Sequence, residues 1–128
     1  MTKPQLVGAA LAVVAVLVFD AVAAAVEKGG GAYSKFGILE ILLYLAIGFM
    51  AARATGTWRG GLGVVVIAAI AEVVLGFYVS TLVVGHGPVA PGTSFAKLAS
   101  LGLIAILWNG IVGLAGALLG ARFARTAA

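Results

Sequence analysis

The sequence contains no cysteine and a single histidine, His86. These absences exclude a disulfide framework, thiolate catalysis, Cys/His zinc sites and bis-histidine haem ligation. Charge is scarce as well. Eight basic and four acidic residues make up 9% of the chain, against about 25% in an ordinary soluble domain. So few charged side chains do not cover the surface of a soluble globule of 128 residues. The sequence also has no Gly-rich phosphate loop, no His/Glu pair at metal spacing and no nucleophile beside a base. Nothing therefore points to an enzyme, a cofactor or a metal site. The net charge of +4 comes from basic residues scattered singly near the ends of apolar segments. That pattern is a topology signal, not a nucleic-acid surface.

What is present is apolar: 63% of residues are hydrophobic, and 19 are glycine. Four runs reach the roughly 20 residues that a membrane-spanning helix needs: Gln5 to Val26, Phe36 to Arg53, Gly61 to Val84, and Lys97 to Gly120. Between them lie breaker-rich joints, from Lys28 to Lys35, Thr55 to Gly61 and Gly85 to Thr93. None of the runs alternates with period 2, which excludes a membrane β-barrel. The expected fold is all-α, a polytopic integral membrane protein in which residues 1–128 form one four-transmembrane-helix bundle with short loops. Ala23-Ala24-Ala25 offers a small-residue cleavage pattern, but the first apolar stretch exceeds the roughly 7–15 residues of a secretory signal. It is read as a retained helix.

An even number of spans puts both termini on one side. Lys3, Arg53, Arg59, Arg122 and Arg125 fall on that side, with Lys28, Lys35 and Lys97 opposite. This bias predicts cytoplasmic termini in a bacterial inner membrane. Its narrow margin leaves dual topology open.

Each span carries one polar residue: Asp20, Glu40, Glu72 and Asn109. A charge at a helix centre costs about 2.5–3.5 kcal/mol on the insertion scale. Such groups are expected to face the bundle interior. Helical spacing supports that placement, because each polar residue shares a face with small residues. The faces are Ala9, Val13, Val16, Asp20 and Ala24; Gly37, Glu40, Tyr44 and Gly48; Ala68, Glu72, Gly76 and Ser80; and Asn109, Gly113, Gly116 and Gly120. A rise of about 1.5 Å per residue predicts two tiers. Asp20 and Glu40 form the outer one; Glu72, Asn109 and Tyr44 form one near the midplane.

Glu72 reads as a proton- or cation-binding carboxylate, or alternatively as a neutral acid satisfied by a backbone carbonyl or Asn109. Asp20 and Glu40 either join it or snorkel toward the interface. Asn109 suits interhelical hydrogen bonding, and Tyr44 either packs or bonds a carboxylate. Gly48, Gly76, Gly113, Gly116 and Gly120 mark close helix packing, with Gly116-x-x-x-Gly120 at the dimerisation spacing, within or between chains. Tyr33, Trp58 and Tyr78 suit an interfacial aromatic belt, Trp108 is deep enough to pack against a neighbouring helix, and His86 is a solvated loop residue. The functional expectation is an oligomeric proton- or cation-coupled transporter or channel. The alternative is a non-catalytic subunit of a larger membrane complex. The expected partners are the lipid bilayer and either further copies or other membrane subunits, with no nucleic acid.

Overall fold

The computed structural model describes residues 1–30, 36–85 and 92–126. Four helices, each long and apolar enough to cross a membrane, account for nearly all of them: Lys3–Lys28, Phe36–Thr55, Trp58–Val84 and Phe95–Thr126. No strand occurs among the described residues. The expected joints lie where the structure breaks the helices, and polar caps fix several ends. Thr2 and Gln5 form a reciprocal capping box at the first helix. Thr57 accepts from the Gly60 N–H at 3.0 Å to start the third helix. Ser94 accepts from the Lys97 N–H at 3.3 Å to start the fourth. Gly85 closes the third with φ +87°, a left-handed conformation that glycine adopts without strain.

Two expected boundaries change by more than two residues. The third helix begins at Trp58 rather than Gly61, because the Thr57 cap lies upstream of the apolar run. The fourth runs to Thr126 instead of stopping at Gly120. Its 32 residues span about 48 Å, longer than the hydrocarbon core of about 30 Å. Arg122 and Arg125 are good helix formers whose stems extend along the helix while the guanidinium groups reach water.

The second and third helices pack on each other and on both remaining helices, while the first and fourth do not touch. The bundle is thus a rhombus with the second and third helices on its short diagonal. The second and fourth run parallel and approach most closely through glycine. A Cβ on Gly48 would strike the carbonyl oxygen of Gly113; one on Gly116, the carbonyl of Leu45; one on Gly120, the carbonyl of Phe49. The glycine stripe predicted on the fourth helix therefore packs inside the chain, with backbone against backbone. Gly37, expected on the same face of the second helix as Glu40, is exposed and meets nothing within 4 Å. The core lies in the half nearer the termini, where Ala9, Val16, Ile47, Val64, Val65 and Ala68 cluster around Tyr44.

The third helix is not regular throughout. Trp58–Ala71 is α-helical, Glu72–Gly76 forms a π-helical turn, and Phe77–Val84 resumes as α-helix. One extra residue in a turn rotates everything beyond it by about 100° relative to an unbroken helix. Beyond this turn the Phe77–Val84 segment packs on the first helix, and its backbone does not approach that of the second or the fourth. No residue of that segment is buried. None of Phe95–Trp108 on the fourth helix is buried either. The two helices therefore diverge on the loop side.

Candidate functional site

The glycine contacts hold the second and fourth helices close enough for their polar side chains to meet. The Asn109 amide, 4% exposed, donates from Nδ2 to Glu40 Oε1 at 3.1 Å and to Glu72 Oε2 at 3.0 Å. Glu72 Oε2 also accepts from the Tyr44 hydroxyl at 2.6 Å. Tyr44 is fully buried in the core and so aims its hydroxyl upward from a fixed position. Three helices thus contribute four side chains to one hydrogen-bonded unit. It leaves the second oxygen of each glutamate uncommitted among the described residues.

The structure brings these four residues together but does not separate them into two tiers. Glu40 and Glu72 share a single amide nitrogen. Axial rise alone placed Glu40 above Glu72. The reach of the side chains closes that gap. Tyr44 satisfies both of its expected roles, packing in the core and donating to a carboxylate.

Asp20 stands apart from this unit. It is 5% exposed, and no described residue donates a hydrogen bond to it. One of its oxygens lies against the backbone of Gly76, where a Cβ would overlap Oδ2. Gly76, in the π-turn, is thus the residue that admits Asp20 to the interior. No lysine or arginine among the described residues pairs with Asp20, Glu40 or Glu72.

Above the polar unit, where the third and fourth helices diverge, lies a cleft of about 570 Å³. Asp20, Glu40, Glu72 and Asn109 line its polar end, and Phe77, Tyr78, Phe95, Leu98 and Leu101 line its walls. Sequence reasoning located the polar end but not the cleft. It lies beside the π-turn, and the local sequence signal for that turn is the run Val73-Val74-Leu75-Gly76.

Trp108 corrects an expectation. It does not pack inside the bundle but points outward, 54% exposed, beside the inward-facing Asn109. Adjacent helical positions lie about 100° apart, so burying the asparagine turns the tryptophan away. Tyr78 is outward-facing too, 64% exposed while still bordering the cleft. Trp58 packs against Ala52, Ala117 and Ala121 near the chain termini. Tyr33, Lys35 and His86 lie outside the described residues.

No protein-family model, curated protein or solved structure matches this chain.

Proposed function

We propose that this four-helix membrane protein couples the movement of protons or another cation to the movement of a small solute, using Glu72 and Glu40 as the exchanging groups. One observation carries this reading: a single Asn109 amide holds both carboxylates together at the floor of a cleft. Carboxylates so close in a low-dielectric medium do not both carry charge cheaply. Protons and cations therefore compete for the pair, and that competition is the basis of coupled exchange. Asn109 stays bonded to both acids and keeps them in place as their charge changes. Tyr44 orients Glu72 from below. In this reading both termini are cytoplasmic and the cleft opens toward the opposite side, in line with the distribution of lysine and arginine.

The test is flux in proteoliposomes loaded with a pH-reporting dye under an imposed potassium-diffusion potential. Wild-type protein should carry proton flux above that of empty vesicles, and Glu72→Gln should abolish it without lowering thermal stability by more than a few degrees. Wild-type flux no greater than that of empty vesicles would overturn the reading.

The unburied loop-side half of the fourth helix, including Trp108, favours a second reading. There the chain is an accessory subunit whose acids pair with a basic residue of a partner helix. Glu72→Gln would then release the partner from the purified complex.

A further inference from the structure

We propose that the cleft binds an amphipathic organic monocation, its positive head between Asp20, Glu40 and Glu72 and its apolar body against Phe77, Tyr78 and Leu101. This assignment rests on the transport reading above and names its solute class.

The charge of the site comes first. Three carboxylates border the cleft, and among the described residues no basic one does. Asp20 is the most informative of them. A nearly fully buried carboxylate without a hydrogen-bond donor is unfavourable by itself. Asp20, 5% exposed, has no donor among the described residues, and what its carboxylate oxygens can reach is the cleft that it lines. A cation seated there supplies what the chain does not.

Size and lining then select the kind of cation. Among the described residues, no three acidic or histidine side chains converge as ligands for a metal ion. The volume of about 570 Å³ instead falls within the roughly 300–1,000 Å³ of sites that enclose organic ligands. Above the acidic floor the lining is mainly apolar and includes the aromatic residues Phe77 and Tyr78, a residue type that attracts a diffuse positive charge. A small, strongly hydrated cation gains little from such walls; a lipophilic one gains from both ends. Access fits the same ligand. The backbone of Phe77–Val84 stays well apart from that of the fourth helix, so a molecule already partitioned into the bilayer meets the cleft from the side.

Protons compete with this ligand through the carboxylates that face it, Asp20 from the first helix, Glu40 from the second and Glu72 from the third; Tyr78 borders the cleft, and Tyr44 meets Glu72 from beneath it. The fourth helix contributes only the neutral Asn109. Protonation neutralises the carboxylates and removes the attraction for the cationic head.

The experiment measures binding of tetraphenylphosphonium to the purified full-length chain in detergent, by equilibrium dialysis at about pH 8 and about pH 5. Tetraphenylborate, of the same shape and opposite charge, is the comparison ligand. Saturable tetraphenylphosphonium binding is expected, weakened about 10-fold or more at the acid pH. Tetraphenylborate should not saturate the protein. Asp20→Asn should weaken binding by a similar factor, and Ala99→Trp, which fills the cleft without touching an acid, should abolish it. Leu119→Ala, on an exposed face near the termini, should bind as wild type does. Size-exclusion profiles establish that each variant is folded; if Asp20→Asn is not, Ala99→Trp decides. Absence of saturable binding, equal binding of both ions, or undiminished binding by folded Ala99→Trp would overturn the assignment. Glu72-dependent proton flux without tetraphenylphosphonium binding would overturn the solute class alone. Binding without any flux would leave the site standing and overturn the transport reading.

Discussion

The two ends of this bundle are built from the same apolar alphabet but packed in opposite ways. Near the termini, Gly48, Gly116 and Gly120 set helix backbones directly against each other, and Ala52, Ala117 and Ala121 close the remaining space. On the loop side the third and fourth helices separate, and neither Phe77–Val84 nor Phe95–Trp108 buries a residue. The boundary between these regimes is the layer that holds Tyr44, Glu72, Glu40 and Asn109. Membrane helices gain little from the hydrophobic effect when they associate within lipid, so backbone proximity and polar contacts determine where they stay together. Below the layer glycines bring backbone against backbone; above it Gly102 meets only the Val73 side chain, and the helices part.

The largest expected effect tests the closed end. Gly116→Leu places a four-carbon side chain where even a Cβ would strike the Leu45 carbonyl. It should destabilise the fold by more than about 3 kcal/mol, and Gly116→Ala by about 1–3 kcal/mol, because the obstacle is backbone and not a side chain able to rotate away. Thermal unfolding in detergent, followed by circular dichroism, measures both. Ile111→Leu, on an exposed position of the same helix, should change little. Equal tolerance of Gly116→Leu and Ile111→Leu would mean that the second and fourth helices do not meet as described.

The next effect falls on the boundary layer. Asn109→Ala removes a donor shared by two glutamates and should lower stability by about 1–2 kcal/mol. Tyr44→Phe removes one bond to Glu72 and should cost less, since its ring still fills the core. If the two substitutions are made together, the loss should differ from the sum of the single losses, because both act on Glu72 Oε2. Strict additivity in a double-mutant cycle would argue that the four side chains do not act as one unit.

Much of this was legible in the sequence, and the reasons differ by feature. The four spans followed from hydropathy and breakers, which depend on composition and not on tertiary packing. The inward faces followed from helical periodicity: Asp20, Asn109, Gly48, Gly76, Gly113, Gly116 and Gly120 are buried, while Glu40 and Glu72, anticipated inside as well, are half-buried. Features that depend on departures from ideal geometry were not legible. The tiers assumed that axial position decides contact, whereas Asn109 reaches Glu40 and Glu72 alike. Gly37 continues the stripe on paper, but it is exposed and a Cβ there meets nothing, while its neighbour Phe36 is the residue that packs on Phe19 of the first helix. The cleft lies beside a π-turn, and a π-turn is set by tertiary packing more than by local residue type.

A smaller effect on stability sharpens the contrast on the open side. Gly76→Ala would bring a methyl group onto Asp20 Oδ2, the far end of a side chain, and not onto backbone. Asp20 swings aside into the cleft, so the thermal midpoint should fall by less than the shift seen for Gly116→Ala. Tetraphenylphosphonium binding should weaken several-fold, because the displaced carboxylate occupies the ligand's place. A midpoint loss as large as that of Gly116→Ala would show that the first and third helices are as tightly closed here as the helices near the termini.

The smallest expected effect separates contacts within the chain from contacts between chains. Gly110 lies one turn from Gly113 on the fourth helix, yet a Cβ added there meets nothing within 4 Å. In a single bundle Gly110→Ala is therefore free of overlap, and it should raise stability by up to about 1 kcal/mol through helix propensity alone. Gly113→Ala, whose Cβ would strike the Val65 side chain, should instead be neutral to destabilising, depending on how far that valine yields. The pair is measured by thermal unfolding together with sedimentation of the detergent-solubilised protein. If Gly110→Ala lowers stability and also shifts the sedimenting mass, a second copy or a partner helix must lie on the face of the fourth helix where Gly110 sits, between the buried stripe and Ile111. If it raises stability with the mass unchanged, that face meets lipid, and the glycines that matter are those already pressed against carbonyls of the same chain.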